Sequence, residues 1–361
     1  MKGKLILENG VVFKGKIFGK VDDVVGEIIF NTSMVGYQEL MTDSSSHDQM
    51  IVMTYPMIGN YGLNLEDMES RNGRAKAFII REEAKLPNNF RSEMTLNGFL
   101  KQQNIVGFKG IDTRHLTQIL RESGPMKGII TTKELSLKEI QEKFLEYTNK
   151  DIVSSISTTK KYILEGVVKS DSKIKTLGIL DLGLTKTLKE NFLKRGYNCI
   201  VFPYNTKSEE LLSNNLDGLL ISDGPGSPPD LVEVTNEIKN ILEKIPLVGV
   251  GLGHQIIALA IGGEIKQLKC GHRGGNTPVK NIKLNKICIT NQNHSYYVSE
   301  IPKEVEITYS NISDKSIEGI YSKRFKAIGV QFNPESWPGT QSSVDLFENI
   351  DKMLNGGENV R

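Results

Sequence analysis

From residue 174 onward the chain alternates short apolar runs with amphipathic ones, and this alternation constrains the fold more than any other feature. KTLGILDLG, YNCIVFPYN and LDGLLISDGPGSP read as strands, with TLKENFLKRG and SEELLSNN as the helices between them. Further on, IPLVGVGLGHQIIALAIGG, residues 245 to 263, reads as a buried strand, a glycine-rich turn and a helix. Short apolar strands separated by helices indicate an open α/β domain with a largely parallel sheet flanked by helices. Ligands of such sheets bind at the carboxyl ends of the strands. SDGPGSP and GVGLGHQ both fall there, so the two glycine loops outline one pocket.

The first half has a different pattern. Residues 1 to about 65 carry short alternating runs, KLILENG, VVFKGKIFG, VGEIIFNTS and MIVMTYP, broken by Gly, Asn, Asp and Pro, which predict a β-rich start. Helices follow over Thr95–Gln103, over DTRHLTQILRES between Asp112 and Gly124, and over SLKEIQEKFLEYTNK behind Ser136 as N-cap. The polar stretches SSISTTKK and KSDSK mark a linker. The expected organisation is a β-rich α+β N-terminal domain over residues 1–152, a linker over 153–173 and the α/β domain over 174–361.

A length of 361 residues suits two domains. The formal net charge is only +2, so bulk electrostatics call for neither nucleic acid nor an anionic membrane as partner. The opening MKGKLILENGVVFKGK carries lysines throughout and lacks the apolar core of a signal peptide. No run approaches the ~20 apolar residues of a membrane span, and the expectation is a cytoplasmic protein. Cys199, Cys270 and Cys288 are too scattered for a disulfide framework or a zinc site, so reduced thiols and no metal are expected.

A strand running into a tight turn and then a helix is the geometry of a nucleophile elbow, which lifts one reactive side chain above the sheet. Its apex here is Gly251, which has no side chain to present. GVGLGHQ is not a dinucleotide fingerprint, and the chain contains no Walker-type phosphate loop.

The order SDGPGSPPD, GVGLGHQIIALAIGG, CGHRGGNTPV, NQNHSYYV and GVQFNPESWPG resembles the class I glutamine amidotransferase domain. Upstream, GEIIFNTSMVGYQELMTD, TYPMIGNYG and GIDTRHLTQILRESG resemble the N-terminal domain specific to the small subunit of carbamoyl-phosphate synthase. The likeness runs over nearly the whole chain, and the upstream motifs are the more specific, because other amidotransferases lack that domain. It implies a small subunit that takes ammonia from glutamine and passes it to a large subunit. The large subunit, with ATP and magnesium, makes carbamoyl phosphate for arginine or pyrimidine synthesis. No cofactor is expected in this chain.

In that family an apex cysteine attacks the side-chain amide of glutamine to give a thioester, with a histidine as base and a carboxylate orienting it. Carried onto this chain, the nucleophile position is Gly251, the base position Asn333 and the carboxylate position Glu335. Glycine offers no nucleophile and asparagine no usable base. Loss of either should cost about 10⁴–10⁶ in rate where such residues act as a unit. Glycine also suits a strained apex that no longer needs a thiol.

The resemblance assigns glutamine binding to Ser45, Gly224, Gly226, Leu252, Gln255, Asn293, Ser295 and Tyr296, with Ser295 standing where glycine is usual. In ILDLGLTKTLKENF, Asp181 and Gly183 remain while Thr187 replaces an asparagine. These peripheral changes read as drift rather than as substitutions introduced into an active enzyme. Among the histidines, His47, His115, His254, His272 and His294, the last three match histidines that the family does not use as its base. Cys270 lies beyond the elbow helix and is a poor substitute nucleophile. Two functions follow from the resemblance: a subunit whose glutaminase centre is inactive, or a module that binds glutamine as a signal without hydrolysing it.

Overall fold

A computed structural model describes residues 1–148, 151–167, 175–335, 338 and 344–354. The chain divides into two compact units, Met1–Asn149 and Lys150–Arg361.

The first unit contains strands β1 (Lys2–Leu7), β2 (Val12–Gly19), β3 (Val24–Asn31), β4 (Gln49–Met53), β5 (Met57–Ile58), β6 (Ala77–Ile80), β7 (Glu82–Glu83), β8 (Val106–Lys109) and β9 (Met126–Thr131). Its helices are α1 (Tyr37–Thr42), α2 (Leu96–Gln102), α3 (Thr113–Ser123) and α4 (Leu137–Glu146). Seven strands close into a barrel in the order β1-β2-β8-β6-β4-β3-β9, because β9 pairs with both β1 and β3. The β3–β4, β4–β6 and β6–β8 pairs are parallel. Alternate residues such as Leu5 and Leu7, and Met50 and Val52, fill the core with Ile79 and Phe108, as the two-residue period of a strand requires.

Thr95, Asp112 and Ser136 cap α2, α3 and α4, each accepting a backbone N–H from three residues on. Helix α4 stops at Glu146, short of the expected Lys150. There the Lys127 ammonium donates to the carbonyls of Phe144 and Tyr147, closing the last turn with a cation, which favours the helix C-terminus.

The second unit contains α5 (Ile152–Ile156), β10 (Tyr162–Leu164), β11 (Lys175–Asp181), α6 (Lys186–Lys194), β12 (Tyr197–Pro203), α7 (Ser208–Ser213), β13 (Gly218–Ile221), α8 (Val232–Ile241), β14 (Leu247–Val250) and α9 (Leu252–Ala260). After these come β15 (Glu264–Asn281), β16 (Lys286–Glu300), β17 (Glu306–Asn311), β18 (Ile317–Ser322), β19 (Ala327–Val330) and α10 (Val344–Leu354). Strands β12-β11-β13-β14-β19 form the parallel centre. Along β11, Leu177 and Ile179 enter one core with Phe192 and Phe347, while Leu180 enters the other with Ile221 and Ile256.

Two features modify the expected picture. Beyond β19 the sheet continues antiparallel through β18, β16, β15 and β17, and the β15–β16 hairpin breaks register between Gln267 and His272 and between Gly274 and Thr277. Those bulges erase the clean alternation by which a strand is recognised. The stretch 153–173, expected as a linker, holds most of α5 and all of β10, which pairs antiparallel with β12. Strand β10 was hidden because it is an edge strand whose Tyr162 and Ile163 face solvent. Residues 168–173 of that stretch lie outside the described residues. No helix of the described residues is long and apolar enough to cross a membrane.

Candidate functional site

Strands β13 and β14 are buried neighbours, and both end in loops at the same edge of the sheet. The elbow between β14 and α9 is intact. Gly251 has φ +53° and ψ −112°, a conformation that residues with a side chain rarely adopt. Its N–H donates to the carbonyl of Val330 at 2.9 Å, and its own carbonyl accepts from Gln255 at 3.2 Å. The apex is thereby fixed to the end of β19, three residues before Asn333.

The space above the apex is filled by Asp223. Its Oδ1 accepts the N–H of Gly224 and the N–H of Leu252, each at 2.8 Å. A Cβ placed on Gly251 would lie 2.0 Å from that Oδ1 and 2.2 Å from its Cγ. Two backbone donors, one of them from the residue after an elbow apex, form an oxyanion cradle, the feature that stabilises a negative oxygen in acyl transfer. Asp223 belongs to the SDGPGSP motif, but nothing in the local sequence marks it as the occupant of this position.

The expected glutamine-binding residues separate into distinct settings. Gly224 and Leu252 meet at Asp223. Gln255, buried on α9, donates from Nε2 to the Tyr296 carbonyl at 2.7 Å and to Gln331 Oε1 at 2.9 Å, which ties the elbow helix to β16. Ser295 accepts a hydrogen bond from Nη2 of the buried Arg273, whose Nη1 donates to the Cys270 carbonyl at 2.6 Å. The serine is therefore built into the hairpin, and Asn293 sits opposite Arg273 in register. Gly226 is exposed in its loop. Ser45 belongs to the barrel unit, where it is buried and donates from both N–H and Oγ to Asp43 Oδ1 at 2.8 Å.

Glu335 is buried, and its Oε1 accepts from the Thr185 hydroxyl at 3.4 Å, next to the start of α6. Asn333 is half-buried, with its N–H on the Asn291 carbonyl. Asp181 binds the N–H groups of Gly183 and Leu184 through Oδ1 and that of Thr158 through Oδ2, so it organises the end of β11. The Thr187 carbonyl accepts from Asn191 Nδ2 at 2.9 Å.

None of the three cysteines stands at the apex. Cys199 is fully buried in β12, and burial pushes its thiol up to about 12. Cys270 lies in the register break between Gln267 and His272 of the β15–β16 hairpin, and Cys288 pairs with Val279 across it.

Three histidines respond to their surroundings in different ways. His254 on α9 is fully buried with neither ring nitrogen hydrogen-bonded, and burial lowers its pKa to about 3. Burial and the nearby His272 hold His294 well below the usual histidine range. Burial also pulls His272 down, but the carboxylates of Glu318, 3.6 Å from Nδ1, and of Asp314, 2.8 Å from Nε2, outweigh this, and its pKa is raised. The His272 and His294 rings meet edge to face at 5.1 Å, beside the buried Glu318, a grouping that nothing in the sequence reading brought together.

The pH dependence follows. A neutral buried His254 leaves stability at its full value above the unfolded histidine pKa of ~6.5, and stability falls by about 1.4 kcal/mol for each pH unit below it, down to the folded value. His294 acts with the same sign. His272 acts oppositely, contributing below its unfolded pKa and losing its contribution as pH rises through its folded one. Urea unfolding of the full chain at pH 7.5 and pH 5.5 should show H254L losing less stability on acidification than the unmodified chain, by about 1.4 kcal/mol. Equal acid losses would remove His254 as the cause.

Comparison with known proteins adds to this geometry. Residues 5–130 match the family described as carbamoyl-phosphate synthase small chain, CPSase domain, and residues 178–353 match glutamine amidotransferase class-I. The carbamoyl phosphate synthase small chain of Clostridium perfringens is 48% identical over 352 residues, covering 98% of this chain and 99% of the relative. The pyrimidine-specific small chain of Bacillus subtilis is 41% identical over 356 residues, covering 98% and 96%.

Proposed function

The chain belongs to the carbamoyl-phosphate synthase small-chain family, and from that premise we propose that it is a small subunit whose own glutaminase centre is inactive. It pairs with a large subunit on which ATP and magnesium act, and the assembly forms carbamoyl phosphate from bicarbonate and free ammonia. The observation that carries this reading is the apex itself. The elbow backbone is retained at φ +53°, while position 251 is glycine and the volume above it holds the Asp223 carboxylate. Asn333 at the expected base position removes the second requirement, since a carboxamide does not exchange a proton near neutral pH. Glu335, hydrogen-bonded by Thr185, then serves to hold the α6 loop.

The glutamine-sensing alternative requires the cradle to be open to a ligand. Asp223 on both of its donors counts against that reading.

The test is reconstitution of the full chain with its cognate large subunit, ATP, magnesium and bicarbonate. The expected result is a complex that co-elutes in gel filtration and makes carbamoyl phosphate from ammonium chloride. Failure of the two chains to associate would refute the role as a small subunit.

A further inference from the structure

We propose that Asp223 is the resident occupant of the elbow's oxyanion cradle, and that Asp223 and Gly251 form one interlocked unit that closes the pocket to glutamine. The inference rests on the reading that the glutaminase centre is inactive, and it identifies a residue that would have to withdraw before any side chain could return to the apex.

Gly224 and Leu252 direct their N–H groups at a single oxygen, Asp223 Oδ1, at 2.8 Å each. In acyl transfer that point receives the carbonyl oxygen as it becomes negative. A carboxylate is a stronger acceptor than the neutral carbonyl of an amide. It also sits at the N-terminus of α9, where the helix dipole favours negative charge. Being tethered one residue from Gly224, it competes at an effective concentration of millimolar or more, against which a free amide has little chance.

The same carboxylate fixes residue 251. With Oδ1, Cγ and Oδ2 at 2.0, 2.2 and 2.7 Å from a Cβ at the apex, no side chain fits there unless Asp223 withdraws. A thiol forced into that place would lie against a negative charge, which raises its pKa and keeps it protonated and unreactive. Glycine at 251 and aspartate at 223 therefore each make the other tolerable, and returning cysteine alone cannot restore a nucleophile.

Two measurements on the full chain test this. In the first, thermal unfolding is followed with and without about 10 mM L-glutamine. The unmodified chain and D223N should show no glutamine-dependent shift, because an amide oxygen can still accept both N–H groups, whereas D223A should be stabilised. In the second, G251C and G251C/D223N are treated with iodoacetamide at pH 7, and the alkylated peptides are mapped to separate the introduced thiol from Cys270 and Cys288. The introduced thiol should react at least ~10-fold faster when the charge at 223 is removed. Glutamine stabilisation of the unmodified chain, or equal alkylation rates in the two variants, would overturn the proposal while leaving the inactive glutaminase centre standing. Release of glutamate by the unmodified chain would overturn both.

Discussion

Given glutamine as the sole nitrogen source, the reconstituted complex is expected to release glutamate no faster than about 10⁻⁴ of the rate of a complex with an intact triad. Hydrolysis by this kind of site requires a thiolate to attack the amide, a base to take its proton and return it to the departing ammonia, and an oxyanion cradle for the tetrahedral intermediate. In the proposed reading Gly251 offers no thiolate, and Asn333 at the base position offers no proton carrier. The third requirement is compromised as well, because both cradle donors are engaged by Asp223. Direct attack by water is no substitute, since it needs the same base and the same cradle. Cys199 cannot step in, with its thiol buried in β12 and pushed up to about 12. The measurement is glutamate formation by the complex under saturating glutamine, set against carbamoyl phosphate formation under ammonium chloride. Glutamine turnover at the pace of the ammonia-driven reaction would show that a nucleophile outside the elbow has taken over. Cys270, in the β15 bulge, would be the first residue to replace with serine.

The sequence made some parts of this site legible and left others hidden, for reasons specific to the residues involved. The elbow was readable because its constraints are local: a run of four buried residues in β14, a glycine apex and a helix buried on nearly all sides. The identity of the apex residue, glycine, was readable for the same reason, since it depends only on which residue stands at the turn. Asp223 was not readable as an occupant. Its role depends on two strand ends in register, β13 beside β14, which brings its carboxylate to the N–H of Leu252, 29 residues later. The barrel was equally hidden, because its closure rests on β6, β8 and β9, short segments whose parallel and antiparallel partners lie far away in sequence. The β15–β16 hairpin was visible only as motifs, since its bulges break the period that marks a strand. Local conformation and residue chemistry were therefore legible, while long-range register, and everything built on it, was not.

Register also decides the outcome of a substitution for which local rules give the wrong sign. Glycine inside a helix costs up to about 1 kcal/mol relative to alanine, so propensity alone predicts that Gly253→Ala in α9 stabilises the protein. The packing predicts the reverse. A Cβ at Gly253 would lie 2.0 Å from the Ile221 carbonyl oxygen, 2.6 Å from its carbon and 2.9 Å from the Ser222 carbonyl oxygen. All three are backbone atoms of β13 and its exit loop, and they cannot turn aside as a side-chain end can. Helix α9 must move off the sheet, which would pull the Leu252 N–H from Asp223 and Gln255 from Tyr296 and Gln331. The expected loss is about 3 kcal/mol or more, at the upper end of overpacking effects. Gly98→Ala in α2 supplies the control. There a Cβ meets only Thr95 Oγ1 at 3.4 Å and Met94 Cβ at 4.0 Å, so the same chemical change should be neutral or stabilising by up to about 1 kcal/mol. Chemical denaturation of both full-length variants separates the two accounts. If G253A proves as stable as the unmodified chain, then α9 does not press on the end of β13 as closely as these distances require, and the cradle that this contact positions would lose its rigidity.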